Sequence, residues 1–174
     1  MPTKTIFLDR DGVINKDINY LHKIKDCVFI PNIFDTCSYF QNIGFKIIII
    51  TNQSGIARGY FDESAYQTLT DWIIKQFNLN NIDILDVFHC PHGPDSSCNC
   101  RKPKPGMLLE AKNKYNIDME NSWMIGDQEV DIIAANNAGI INTILVSSGH
   151  KINENFTNAK YSLESIHEST KIIT

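Results

Sequence analysis

Asp9 and Asp11 stand two residues apart in the run Ile6-Phe7-Leu8-Asp9-Arg10-Asp11-Gly12-Val13. An extended chain separates such residues by about 6.5 Å. If it bends after Asp11, both carboxylates can converge on one phosphorus. One can then attack while the other handles the proton of the leaving oxygen. Three later residues supply what such a transfer still lacks. Thr51, in Thr51-Asn52-Gln53-Ser54-Gly55, offers a hydroxyl, and the backbone after it offers N–H groups, to a phosphoryl oxygen. Lys102, in Cys100-Arg101-Lys102-Pro103-Lys104-Pro105-Gly106, can neutralise charge on the phosphoryl and on its attacker. Asp127, after Ile125-Gly126, can join Asp9 in an all-oxygen site suited to Mg²⁺. Asp131 follows four residues later, on the same face if a helix has begun; it could be a second metal ligand or a support, with support the favoured reading, and whether it or Gln128 joins the Mg²⁺ site stays open. Taken singly, each has an ordinary alternative: a turn, a helix cap, a solvated cation.

A second cluster lies between positions 90 and 100. Cys90, His92, Cys98 and Cys100 form C-x-H-x5-C-x-C. Three thiolates and one imidazole suit a closed, structural Zn²⁺ site with no open position for water. The loop is polar and buries little, so a metal can supply its folding energy. His89 adjoins Cys90 but faces the other way on a strand, so it is left out of the set. Cys27 and Cys37 read as ordinary semi-buried thiols. The loop runs straight into Arg101-Lys102, so a metal there would aim both cations.

Short apolar runs alternate with helical patterns. Strands are expected at Thr5–Leu8, Phe45–Ile50, Leu85–Cys90, Trp123–Ile125 and Ile141–Val146. Helices are expected at Ile33–Ile43, from Asp62, from Pro105 to Tyr115, and at Glu129–Ala138. The helix opened by Asp62 carries Ala65, Leu69, Trp72, Ile73, Gln76 and Phe77 on one face. The polar tail is expected to hold a short strand and a helix at Leu163–Glu168. Alternation of this kind implies an α/β domain with a Rossmann-like parallel sheet and helices on both faces. The run Ile47-Ile48-Ile49-Ile50 fits a strand buried on both sides. Residues 1–174 then form a single domain with a zinc loop at 90–100. Asp9, Thr51 and Asp127 all fall at strand ends, the edge where open α/β sheets bind ligands.

The net charge of −4 argues against nucleic acid and anionic membranes as partners. No apolar stretch approaches the roughly 20 residues that span a bilayer. The first strand begins a few residues after Met1, which leaves no signal-peptide pattern. A cytoplasmic monomer acting on a small molecule is the expectation.

Asp9, Asp11, Thr51, Lys102 and Asp127, in this order at strand ends, resemble the four motifs of the haloacid dehalogenase-like phosphohydrolases. The resemblance covers about residues 5 to 146. It implies that Asp9 is the nucleophile and forms an aspartyl-phosphate. It implies that Asp11 is the general acid and then base and lends its backbone carbonyl to Mg²⁺. Thr51 and Lys102 would bind the phosphoryl group, and Asp127 would hold the Mg²⁺. The zinc loop before Arg-Lys-Pro is similar to two branches of that family, one acting on a heptose bisphosphate and one on histidinol phosphate. The H-x5-C spacing looks like the histidinol-phosphate branch. Longer stretches look like the heptose branch: Leu8 to Asn15, Tyr20 to Phe29, Thr51 to Gly59, and Lys104 to Leu109. The resemblance therefore implies loss of the 7-phosphate from a heptose 1,7-bisphosphate. Asp17, Asn19 and Tyr20 would contact the sugar, with Asn52, Gln53 and Ser54 beside Thr51. A second phosphate needs its own cation, and Arg58 and Arg101 are the candidates. No segment is long enough for a large cap domain, so loops must form the specificity rim. A zinc-organised binding module without catalysis is the remote alternative.

Overall fold

The computed structural model describes residues 2–152 and 156–174. Six strands form one parallel sheet: β1 (Thr5–Leu8), β2 (Lys46–Asn52), β3 (Ile84–Cys90), β4 (Trp123–Gly126), β5 (Asn142–Val146) and β6 (Tyr161–Leu163). Their order is β3-β2-β1-β4-β5-β6. The order reverses between β1 and β4, which is the point where such sheets open a crevice. Four helices connect the strands: α1 (Ile33–Asn42), α2 (Glu63–Leu79), α3 (Gly106–Tyr115) and α4 (Glu129–Asn137).

Side chains alternate across the pleat, so each strand feeds two cores. Ile6, Leu8, Ile47 and Ile49 face one side with Ile33 and Phe40 of α1 and Leu69, Ile73 and Phe77 of α2. Phe7, Ile48, Ile50 and Met124 face the other with Leu108 of α3 and Ala134 of α4. Each isoleucine so buried contributes about 1.5–3 kcal/mol relative to exposure. This is why a run of four isoleucines can form one strand without presenting an apolar face to water. Asp62 caps α2, its side chain accepting from Ala65 N at 2.8 Å, an interaction that typically contributes about 1 kcal/mol.

Several expectations shift. Cys37, expected to be semi-buried, is fully buried in the core on α1. β2 continues through Asn52 because Thr51 and Asn52 pair with His89 and Cys90 of β3. The buried stripe of α2 includes Tyr66 and Thr70, whereas Ala65 and Gln76 are only half-buried. Tyr66 stacks on His89 of β3, with ring centres 4.1 Å apart. The tail helix is a 3-10 turn over Ile166–Lys171, not Leu163–Glu168. Leu163 cannot start it because Leu163 pairs with Val146 in the sheet. No helix among the described residues is long and apolar enough to cross a membrane.

Candidate active site

The carboxyl ends of β1, β2 and β4 deliver Asp9, Thr51 and Asp127 to one edge. Asp9 still belongs to the ladder, donating its N–H to Ile125 O at 3.0 Å. Lys102 reaches this edge from the loop before α3. Its ammonium donates to Asp9 Oδ1 at 2.7 Å and to Ile50 O at 2.8 Å. It also lies 2.7 Å from Asp131 Oδ1, and its side chain is almost fully buried. Asn52 holds the lysine backbone with two reciprocal bonds, accepting from Lys102 N at 3.0 Å and donating to Lys102 O at 3.1 Å. The end of β2 therefore sets where the ammonium stands.

Asp11 turns to a different set of donors. The Arg10 guanidinium, itself buried, grips it with Nε to Oδ2 at 3.2 Å and Nη2 to Oδ2 at 2.9 Å. Asn15 Nδ2 donates to Oδ1 at 2.9 Å and Gln53 Nε2 to Oδ2 at 3.0 Å. Gln53 Nε2 also donates to Thr51 Oγ1 at 2.8 Å, which links the hydroxyl to the second carboxylate.

The electrostatics are lopsided. Asp9, Asp127 and Asp131 bring carboxylate oxygens within 4.8 Å of one another, with Lys102 as the ammonium among them. Burial lifts the Asp9 carboxyl well above the usual carboxylate range, with Lys102 pulling it down and Asp131 and Asp127 pushing it up. Burial, then Asp131, carry Asp127 up to about 7 against the pull of Lys102. Burial works against the Lys102 charge too, yet Asp131 and Asp9 outweigh it and hold that ammonium above the ordinary lysine range. Asp127 Oδ1 is buried with no hydrogen-bond partner. An orphaned acceptor in a cluster of three carboxylates with one ammonium fits a hard divalent cation.

A cavity of about 240 Å³ opens here. Asp9, Asp11, Asp17, Asn19 and Tyr20 line one wall, Thr51 to Gly55 a second, and Arg101, Lys102, Gln128, Val130 and Asp131 the rest. Asp127 lies beneath, its side chain sealed from solvent. Arg58 is the exception among the expected residues. It sits exposed on the turn after Ser54, bonded through its N–H to Ser54 O at 3.1 Å, and does not line the cavity.

Cys90, His92, Cys98 and Cys100 bring their ligand atoms within 4.8 Å of one another. His92 Nδ1 is 3.5 Å from Cys90 Sγ and 3.3 Å from Cys100 Sγ. Cys90 and Cys98 Sγ atoms are 3.8 Å apart, and none of these thiols is in a disulfide. Three sulfurs and one imidazole nitrogen around a common centre fit a tetrahedral, thiophilic ion. His89 stays outside, its Nε2 3.0 Å from Glu63. Arg101 Nη1 donates to His92 O at 3.3 Å, so the cluster's own backbone holds that guanidinium.

Three residues of this site were not singled out from sequence. Arg10 and Asn15 flank Asp11, but nothing in their spacing indicated that both would bind its carboxylate. His150 lies 2.5 Å from Asp127 Oδ2 through Nδ1. It follows the carboxyl end of β5, and the same strand-end rule that selected Asp127 could have found it.

A profile of the HAD-hydrolase-like family matches residues 99–169. A D-glycero-alpha-D-manno-heptose-1,7-bisphosphate 7-phosphatase of Photorhabdus laumondii is 48% identical over 163 residues, covering 90% of this chain and 89% of its own. The D-glycero-beta-D-manno-heptose-1,7-bisphosphate 7-phosphatase of the same organism is 43% identical over 155 residues, covering 85% of this chain and 82% of its own. The crystal structure of D,D-heptose 1,7-bisphosphate phosphatase from B. bronchiseptica, complexed with magnesium and phosphate, superposes with a TM-score of 0.90. It is 30% identical and covers 98% of each chain.

Proposed function

We propose that this chain, which belongs to the heptose-1,7-bisphosphate 7-phosphatase family of haloacid dehalogenase-like hydrolases, removes the 7-phosphate of D-glycero-D-manno-heptose 1,7-bisphosphate and leaves the 1-phosphate. The observation that carries this reading is the convergence of Asp9, Asp11, Thr51 and Lys102 on one cavity, in a chain so closely matched to these enzymes.

Asp9 attacks the phosphorus in line, and the bond from phosphorus to the sugar oxygen breaks as the aspartyl-phosphate forms. Asp11 gives its proton to the departing sugar oxygen. It then takes a proton from water as that water attacks the aspartyl-phosphate, which frees phosphate and restores Asp9. Lys102 and Thr51 hold the phosphoryl oxygens as charge develops on them. Arg10 and Gln53 keep Asp11 aimed and Asn52 keeps Lys102 in place. Mg²⁺, held by Asp9, Asp127 and the Asp11 carbonyl, would neutralise charge on the phosphoryl group when bound. Zn²⁺ on Cys90, His92, Cys98 and Cys100 would fold the loop and has no open position for chemistry.

Arg101 is our candidate for the distal 1-phosphate, since it lines the cavity and Arg58 does not. Asp17, Asn19 and Tyr20 would contact the sugar. The alpha-named Photorhabdus enzyme is more similar than the beta-named one, which supports the alpha anomer. These relatives do not favour histidinol phosphate, despite the short H-x5-C spacing. The net charge of −4 supports a single chain working on a small molecule, away from nucleic acid and membrane surfaces. We place it in the cytoplasm. The test is phosphate release from both heptose bisphosphate anomers and from histidinol phosphate at matched concentrations. The heptose substrates should turn over faster, alpha first, with the 1-phosphate retained. A preference for histidinol phosphate would overturn the reading.

A further inference from the structure

One neighbour of Asp127 has no place in the chemistry above. After β5 the chain crosses the site as Ser147-Ser148-Gly149-His150. Ser148 Oγ donates to Gly12 O at 2.7 Å, which ties this turn to the loop that carries Asp9 and Asp11. Gly149 and Gly12 press on the Asp127 carboxylate. A Cβ added to Gly149 would lie 2.0 Å from Oδ2, and one on Gly12 2.2 Å from it, so neither position accepts a side chain. His150 completes the enclosure, its Nδ1 2.5 Å from the same oxygen. The other oxygen, Oδ1, is buried without a partner. Across the ring, Nε2 lies 3.8 Å from Asp17 Oδ2, on the cavity wall.

We propose that His150 is a positioning residue for the divalent cation. A carboxylate free to rotate about its Cβ–Cγ bond exchanges its two oxygens. A donor fixed on Oδ2 stops that exchange and leaves Oδ1 as the ligand atom. Carboxylates that bind metals are commonly held by such a partner, and losing it weakens metal binding about 10–100-fold. The inference rests on the Mg²⁺-dependent reading given above. The opposite role is a place-holder that must leave when the ion arrives, in which case removing the ring would tighten binding.

The experiment titrates the purified full chain with Mn²⁺ and reads free Mn²⁺ by electron paramagnetic resonance, without substrate. Wild type, His150→Ala and His150→Asn are compared. Asparagine can donate an N–H to Oδ2 from near the position of Nδ1. His150→Ala should bind Mn²⁺ on the order of 10-fold or more weakly, and His150→Asn should recover most of the loss. In turnover, the half-saturating Mg²⁺ should rise in His150→Ala while kcat at saturating Mg²⁺ changes little. Wild-type affinity or tighter binding in His150→Ala overturns the proposal, as does a His150→Asn variant no better than alanine. If wild type itself binds no Mn²⁺, the Mg²⁺ reading falls and takes this proposal with it.

Discussion

The Lys102 ammonium stands 2.7 Å from an Asp131 carboxylate oxygen, and both side chains are almost completely sealed from water. Asp9 accepts from the same ammonium at 2.7 Å. Lysine is thus the counter-charge that lets these carboxylates share a dry pocket. Lys102→Met should abolish turnover and also destabilise the fold, by about 3–5 kcal/mol, the usual result of breaking a buried pair. Urea unfolding in chelator measures this, and added Mg²⁺ should return part of the loss. Wild-type stability of the variant in chelator would contradict the electrostatics.

Mg²⁺ should stabilise the folded chain without substrate. At about 100 times its dissociation constant, a ligand of the native state contributes about 2.7 kcal/mol. For a chain of this size that is roughly 5–11 °C in Tm. Thermal melts with Mg²⁺ and with chelator should show the shift in wild type and lose most of it in Asp127→Asn. An Asp127→Asn variant with the full shift would remove Asp127 from the cation site.

Arg10 holds Asp11 through a fork that lysine cannot reproduce. Arg10→Lys should therefore lower kcat, up to the roughly 10²–10⁴-fold that a positioned acid–base group contributes. Its half-saturating Mg²⁺ should stay near wild type. Steady-state kinetics across a Mg²⁺ series separates the two. An unchanged kcat would mean that Asn15 and Gln53 aim Asp11 without help.

The thiol cluster should carry stoichiometric zinc, read by metal analysis of the purified chain. Cys100→Ser should lose it, with the sheet retained by circular dichroism. Because Arg101 hangs on His92 O, the loss should raise KM for the bisphosphate more than for a sugar monophosphate lacking the distal phosphate. Equal effects on both substrates would detach Arg101 from the distal phosphate.

Much of this was legible in the chain because the signals are local. Apolar runs that stop at Asp9, Thr51 and Asp127 mark strand ends, and the parallel sheet follows from their alternation with helices. The thiol cluster was legible for the same reason, since its four side chains lie within eleven residues. What escaped depends on partners far apart in sequence. His150 meets Asp127 only because β5 lies beside β4. Asp131 was legible as a support, but its pairing with Lys102 was not, because it depends on the loop before α3 folding back onto Asn52 of β2. Arg58 is the converse case: it was a candidate cation for the second phosphate, but the turn after Ser54 carries it out to solvent. The tail helix failed for a simpler reason, because sheet pairing claimed Leu163 first.

The nucleophile is the centre of the mechanism, and trapping its covalent state tests it most directly. Acid quenching during turnover, borohydride reduction and peptide mass spectrometry should find the reduction product of an acyl phosphate at position 9. The Asp9→Asn variant, folded by circular dichroism, should show neither adduct nor turnover at any Mg²⁺ concentration. An adduct elsewhere, or substantial turnover by folded Asp9→Asn, would contradict the assignment.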